Sequence, residues 1–177
     1  MIFILGGARS GKSRLAQERL LRFERVAYIA TAQVLDEEMR QRVALHRESR
    51  PQHWATIEEP LDLCAAVDRA LSQRPQAILL DCLTLWLSNR MLQVWETGWT
   101  LGKEGAVLEE LDKSVKILLN AECEEALIVS NEVGFSLVPD NPMGRAFRDL
   151  AGRANQNVSS HCGEAYLAVA GLNVKLK

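Results

Sequence analysis

Residues 6–13 read GGARSGKS, which satisfies the spacing G-x-x-x-x-G-K-[ST]. That spacing builds a cradle for phosphates. Gly6, Gly7 and Gly11 let the backbone curl until its N–H groups point inward, and the positive end of a following helix adds to their field. Across the loop, Gly6, Gly7, Ala8, Arg9, Ser10, Gly11, Lys12 and Ser13 would line the phosphates of a nucleotide. The Lys12 ammonium would reach the β- and γ-phosphates, and the Ser13 hydroxyl would ligate Mg²⁺. The context fits, with the strand-like run IFIL before the loop and the amphipathic stretch SRLAQERLLRF after it. A glycine-rich turn with no ligand is the alternative, and pattern and context together disfavour it.

Asp81 closes another apolar run, AILL. In a parallel sheet the carboxyl ends of the strands face the ligand crevice. A carboxylate there holds Mg²⁺ directly or through water, as a second metal-site residue beside Ser13. Its alternative role is to cap the helix that CLTLWLSNRM would form. No N-K-x-D base-reading motif occurs, CLT follows Asp81 where switch GTPases have D-x-x-G, and the ABC-transporter signature is missing. Those absences weigh against a switch or a transport motor.

The third stretch is RVALHRESRPQHW, residues 42–54. Asp36, Glu37 and Glu38 at one end and Pro51 at the other bracket a helix. Met39, Val43 and His46 fall on one face of it. A histidine continuing an apolar stripe is commonly a packed core residue. Arg47 and Arg50 flank His46, however, and Arg42 lies one turn before it. Cations beside an imidazole favour its neutral, nucleophilic form and would neutralise an attacked phosphate. They also fit a solvated face paired with Glu38 and Glu48. On residues alone, nucleophile and packed histidine both stand.

These groups need a scaffold. Apolar runs at 2–5 (IFIL), 26–31 (VAYIAT), 77–80 (AILL), 126–130 (ALIVS) and 165–171 (AYLAVAG) are continuous rather than alternating. Strands buried on both faces read that way. Between them lie helical patterns: SRLAQERLLRF, EGAVLEELDKSVKILLNAE with its acids Glu104, Glu109 and Glu110 leading, and MGRAFRDLAGRANQNV after Pro139 and Pro142. The alternation predicts an α/β fold, one domain over 1–177, with a mostly parallel sheet flanked by helices. The tail NVKLK suits a final edge strand.

Composition narrows the class. Hydrophobic residues make up 47% and charged residues 25%, and the formal net charge of −2 argues against a nucleic-acid binder. There is no 18-residue apolar run to span a membrane, and MIFILGG is too short and lacks the basic start of a secretory signal. Cys64, Cys82, Cys123 and Cys162 form no C-x-x-C pair, which suggests reduced thiols in a cytoplasmic protein.

Taken in order, GGARSGKS, YIATAQ…DEEM…R…HR…RP.HW.T.E, LLDCLTLWLSN, VSNEVG…VP.N…R.FRDLAGR.NQ and GL.VKLK resemble the bifunctional adenosylcobinamide kinase/adenosylcobinamide-phosphate guanylyltransferase family. The match runs through nearly the whole chain and is weakest between about Met91 and Glu104. The resemblance implies a RecA-like phosphate-loop (P-loop NTPase) fold and a homotrimer with sites near subunit boundaries. It implies two reactions on adenosylcobinamide: phosphorylation of its aminopropanol hydroxyl by GTP or ATP, then transfer of GMP from GTP through a guanylyl-histidine to give adenosylcobinamide-GDP. The matching histidine is His46. By the same motifs Thr31, Ala32, Gln33, Arg47, Glu48, Ser49, Arg50, Glu58 and Asp81 would line the nucleotide. The chain has VGFSLVP where the family commonly has VGMGIVP, so Phe135 and Ser136 would alter access if that loop meets a ligand.

Other residues carry weaker readings. Trp95 and Trp99, in a stretch whose glycines suggest a loop, are corrinoid-contact candidates beside Trp54 and Trp86, with packing as the alternative. Asn131 and Glu132 end a strand and point at the ligand edge. Arg145, Arg148 and Arg153 would meet phosphate, a neighbouring subunit or a salt-bridged surface; His53 reads as structural and His161 as surface. Two further functions compete with the bifunctional reading: a monofunctional small-molecule kinase with His46 merely packed, and a nucleotide-dependent binding module.

Overall fold

A computed structural model describes every residue of the chain except Ser49, and every side chain except those of Ser49 and Arg42. One seven-stranded sheet organises it, in the order β3-β2-β4-β5-β1-β6-β7. Its strands are β1 (Ile2–Gly6), β2 (Val26–Ala30), β3 (Ala55–Glu58), β4 (Ala77–Asp81), β5 (Glu125–Asn131), β6 (Glu164–Val169) and β7 (Leu172–Lys175). All neighbours pair parallel except β6 and β7, which form an antiparallel hairpin at one edge. The expected α/β class and the edge strand in the tail are both present.

The helices are α1 (Lys12–Leu20), α2 (Glu37–Glu48), α3 (Leu63–Ser72), α4 (Leu83–Trp95), α5 (Leu101–Leu119) and α6 (Pro142–His161). Successive strand residues point to opposite faces, so a strand covered on both sides must be apolar throughout. Phe3, Ile78, Leu80 and Ile128 face the layer that holds Trp86, Leu111, Val115 and Leu150. Ile2, Ile4, Leu79 and Val129 face the opposite layer, where Ala16 and Leu20 of α1 close the core.

Two elements escape the sequence patterns. Strand β3 is four residues long and alternates in burial, with only Ile57 buried. Helix α3 starts after Asp62, whose side chain accepts a hydrogen bond from the Ala65 N–H. The acids of the α5 pattern do more than mark a helix start. The helix begins earlier, at Leu101, capped by Thr100. Glu104 is buried and pairs with Arg153 at 2.6 Å, while Glu110 pairs with Arg90 at 2.9 Å. Glu104 thus lies in the first turn of α5, as expected, and also joins α5 to α6, whereas Glu110 lies beyond that turn and joins α5 to α4.

Helix α2 is different from the rest. Among its described side chains Met39 and Val43 are half-buried and all others are exposed. It stands off the body between β2 and β3.

Candidate active site

The segment between β1 and α1 gains its shape from specific backbone constraints. Gly11 has φ 92° and Arg9 φ 56°, both in the left-handed region. A Cβ on Gly6 would lie 2.7 Å from the Ala168 carbonyl oxygen of β6, so only glycine fits there. Gly7 has neither constraint; its surroundings are open. The Gly171 N–H, at the β6–β7 turn, donates to the Ser10 carbonyl at 2.9 Å and braces the loop from the sheet edge. Ser10 itself is buried, with its hydroxyl unpartnered.

Lys12 opens α1 and is 9% exposed. Its ammonium donates to the Gly7 carbonyl at 3.1 Å, back across the loop. Burial pulls its pKa below the usual 10.5, opposed by the neighbouring Cys82 and Asp81. Ser13 is half-buried, and its side chain makes no hydrogen bond to the described residues.

Strand β5 lies between β1 and β4, pairing Gly6 with Asn131 and Asp81 with Val129. The carboxyl ends of the three strands therefore share one edge of the sheet. Asp81 does not cap α4: Cys82 is the N-cap, with no side-chain bond. Instead Asp81 Oδ2 accepts from the Tyr28 hydroxyl at 2.7 Å. The Asp81–Cys82 peptide is cis. Across it Thr31 Oγ1 donates to the Cys82 carbonyl at 2.7 Å and accepts from the Cys82 N–H at 3.1 Å. Thr31 is fully buried, so its side chain fastens the end of β4. Ala32 and Gln33, which follow it, are half-buried.

The β5 terminus is also built rather than loose. Thr84 Oγ1 accepts from the Asn131 backbone N–H at 2.7 Å and from its side-chain amide at 3.0 Å. Buried Ser130 donates to Asn155 Oδ1 at 2.7 Å, and Asn155 donates to the Asn131 carbonyl at 3.2 Å. Next, the Glu132 N–H donates to the Gly6 carbonyl at 3.1 Å. The chain thus ties the end of β5 to the start of the phosphate loop.

A divalent ion suits this edge. The Ser13 hydroxyl and the second Asp81 oxygen are hard oxygen donors, the kind Mg²⁺ takes. Among the described residues no group of three or more His, Cys, Asp or Glu could hold a metal alone. Mg²⁺ keeps several waters and shares substrate phosphates, so one carboxylate and one hydroxyl meet its needs.

His46 is exposed on α2, which removes the packed-core alternative. Arg47 lies 3.9 Å from Glu58, and both are largely exposed. Glu48 is exposed as well, so these residues form an open surface rather than a closed pocket. Arg50 differs: it is 9% exposed, with its guanidinium 3.5 Å from the centre of the Tyr28 ring and its Nε buried without a partner. Ser49, the other expected contact in this segment, lies outside the described residues.

Several weaker candidates make contacts within the chain. Trp95 ends α4 rather than lying in a loop, and both it and Trp99 pack half-buried on the main core. Trp86 is fully buried and donates to the Leu61 carbonyl at 2.9 Å; Trp54 is buried too. His161 reaches the surface half-buried and meets the Asn157 carbonyl at 2.9 Å and Asp112 at 3.7 Å. Arg153 serves Glu104, and Arg145 donates to the Pro139 and Asp140 carbonyls. Phe135 and Ser136 are exposed in the loop after β5. The residues missed from sequence are Tyr28, Thr84, Asn155 and Gly171. Only Gly171, beside Ala170 in a turn pair, carried a local signal.

A parallel sheet whose first strand runs through GGARSGKS into a helix, with an aspartate ending the strand two positions away, defines a phosphate-loop nucleotide-binding protein. The fold is similar to that of an ATPase of the type III secretion system of pathogenic bacteria, with a TM-score of 0.62 at 14% identity, covering 98% of this chain and 56% of that one. Sequence comparison is more specific. Residues 2–176 match the family model for cobinamide kinase / cobinamide phosphate guanyltransferase, and the chain belongs to that family. The bifunctional adenosylcobalamin biosynthesis protein CobU of Salmonella typhimurium is 39% identical, covering 100% of this chain and 99% of its own. The CobP protein of the same description from Pseudomonas aeruginosa is 43% identical, over 98% of this chain and 95% of its own.

Proposed function

We propose that the chain works as the family does, phosphorylating cobinamide and then guanylylating the product, with both reactions drawing on the edge formed by β1, β4 and β5. In the first, the acceptor hydroxyl attacks the γ-phosphorus of GTP or ATP, the bond to the β-phosphate oxygen breaks, and the nucleoside diphosphate leaves. The residues of the 6–13 loop hold the phosphates, Lys12 neutralises charge that builds on them, and Asp81 and Ser13 are the side chains that would hold Mg²⁺. Bound there, Mg²⁺ would neutralise phosphate charge and orient the leaving group.

In the second reaction a neutral His46 nitrogen attacks the α-phosphorus of GTP and pyrophosphate leaves. The resulting phosphoramidate then yields GMP to a phosphate oxygen of cobinamide phosphate, freeing the imidazole. Covalent carriage divides one difficult transfer into two easier ones. Arg47 and Arg50 are placed in sequence to meet the phosphates, with Ala32, Gln33, Glu48, Ser49 and Glu58 as further nucleotide contacts, while Thr31, fully buried on Cys82, supports the edge from behind. Assembly as a homotrimer and residence in the cytoplasm belong to the same reading and rest on the resemblance; among the described residues no helix is long and apolar enough to cross a membrane.

The observation that carries the second reaction is the exposure of His46 on a helix that buries almost nothing. A monofunctional kinase with a packed histidine has no support from that placement. The test separates the two chemistries. His46→Ala should still phosphorylate cobinamide, yet form no cobinamide-GDP from GTP. Formation of cobinamide-GDP by His46→Ala at the wild-type rate would refute the carrier role.

A further inference from the structure

We infer that Tyr28 is a positioning residue that couples the segment carrying His46 to the Asp81 carboxylate, through its hydroxyl on one side and its ring face on the other. This rests on Asp81 being the carboxylate of the phosphate site.

The geometry is specific. Tyr28 sits mid-strand on β2 and is 2% exposed. The register pairs it with Leu79 and pairs Ala30 with Asp81, so its side chain leans along the sheet toward the active edge. There its hydroxyl donates to Asp81 Oδ2 at 2.7 Å. With that oxygen tied, the carboxylate is held in one orientation and presents its other oxygen in a fixed direction. Outer partners of this kind tune a ligand they do not replace.

The ring face serves the second contact. The Arg50 guanidinium lies over it at 3.5 Å, four positions after His46 in sequence. Buried cations over aromatic faces are held more strongly than exposed ones. The Arg50 N–H also donates to the Arg47 carbonyl at 3.3 Å, so the stack anchors the turn that ends α2. Meanwhile Arg50 Nε is buried with no acceptor, which marks it as a donor that an anionic group would fill. The described side chains of α2 bury little, and the stack gives the chain just beyond its C-terminal end a buried contact. One buried ring therefore links a residue just beyond the histidine-bearing helix to the phosphate-site carboxylate.

Two substitutions take the contacts apart. Tyr28→Phe keeps the ring and loses the hydroxyl; Tyr28→Leu loses both. Binding of α,β-methylene GTP is measured with Mg²⁺ and with EDTA, alongside hydrogen exchange over 37–48 and single-turnover guanylylation of His46. In Tyr28→Phe the Mg²⁺-dependent gain in affinity should fall by about tenfold, with exchange over 37–48 unchanged. Tyr28→Leu should in addition speed exchange there and slow guanylylation by about tenfold or more. If Tyr28→Leu does not fold, Arg50→Ala, which removes the stack and leaves the hydroxyl, should speed exchange over 37–48 in the nucleotide-free protein, and unchanged exchange there overturns the inference. A Tyr28→Phe protein with the wild-type Mg²⁺ gain overturns the inference, as does equal loss of both functions in the two Tyr28 variants. The control is Asp81→Asn: if it too keeps the Mg²⁺ gain, the underlying assignment of Asp81 fails.

Discussion

The Lys12 ammonium donates to the Gly7 carbonyl at 3.1 Å, so the loop holds its own cation in the place where phosphate oxygens would compete for it. Burial keeps the Lys12 pKa below 10.5, with Cys82 and Asp81 only partly opposing. The unfolded chain therefore binds this proton more tightly than the folded one. The charge costs stability at neutral pH, and the cost is relieved as pH rises through the folded pKa toward 10.5. Lys12→Met should accordingly raise the melting temperature of the nucleotide-free protein, while phosphorylation falls on the order of 10²–10³-fold. Calorimetry and a cobinamide phosphorylation assay on one preparation check both halves.

The three glycines of the loop should not respond alike. Gly6→Ala drives a methyl group to 2.7 Å from the Ala168 carbonyl, and a backbone atom cannot swing away. A loss of about 1–3 kcal/mol follows. Gly11→Ala forces φ 92° on a residue with a Cβ and brings that Cβ to 3.2 Å from Gly171, for about 1–2 kcal/mol or more. Gly7→Ala meets nothing within 4 Å and should leave stability within about 0.5 kcal/mol. Urea denaturation of the three variants gives the ranking.

Cys82 lies between Asp81 and α4, and burial, reinforced by Asp81, pushes its thiol from 9.0 up to about 11. The folded chain thus holds this proton longer than the unfolded one. Stability should fall as pH rises from about 9 toward 11, where only the unfolded thiol ionises. At pH 8 an alkylating reagent should leave Cys82 unmodified in the native protein and label it after denaturation. Peptide mapping of the alkylated cysteines reads this directly.

Helix α2 should exchange its amide hydrogens far faster than β1, β4 or β5. Its residues are exposed along nearly the whole length, and amides there open without disturbing the core. If His46 must reach an α-phosphate, GTP should slow exchange over 37–48 and leave the central strands unchanged. Mass-resolved exchange with and without GTP makes the comparison.

The parts legible in sequence were those with strong local rules. Continuous apolar runs announced β1, β2, β4 and β5, which are buried, and also β6, where only Ala165 and Ala168 are buried; the glycine spacing announced the phosphate loop. Strand β3 was hidden because half its side chains face water in a run of only four residues. Tyr28 reads as one more strand residue in VAYIAT; its link to Asp81, 53 positions away, exists only once β2 and β4 pair. Thr31 was expected at the nucleotide, and its position at the end of β2 is right, yet its hydroxyl is taken by Cys82. Of the acids read at a helix start, Glu104 does lie in the first turn of α5 while Glu110 lies further along, and the pairing of both with distant arginines exists only once the helices pack.

The central claim is that His46 carries GMP. Intact-protein mass spectrometry after incubation with GTP and Mg²⁺, on wild type and His46→Ala in parallel, tests it most directly. The account predicts a GMP-sized, acid-labile mass gain on the wild type and none on the variant. A wild-type protein that turns over cobinamide phosphate and GTP with no such adduct, or an adduct of equal yield on His46→Ala, would contradict it.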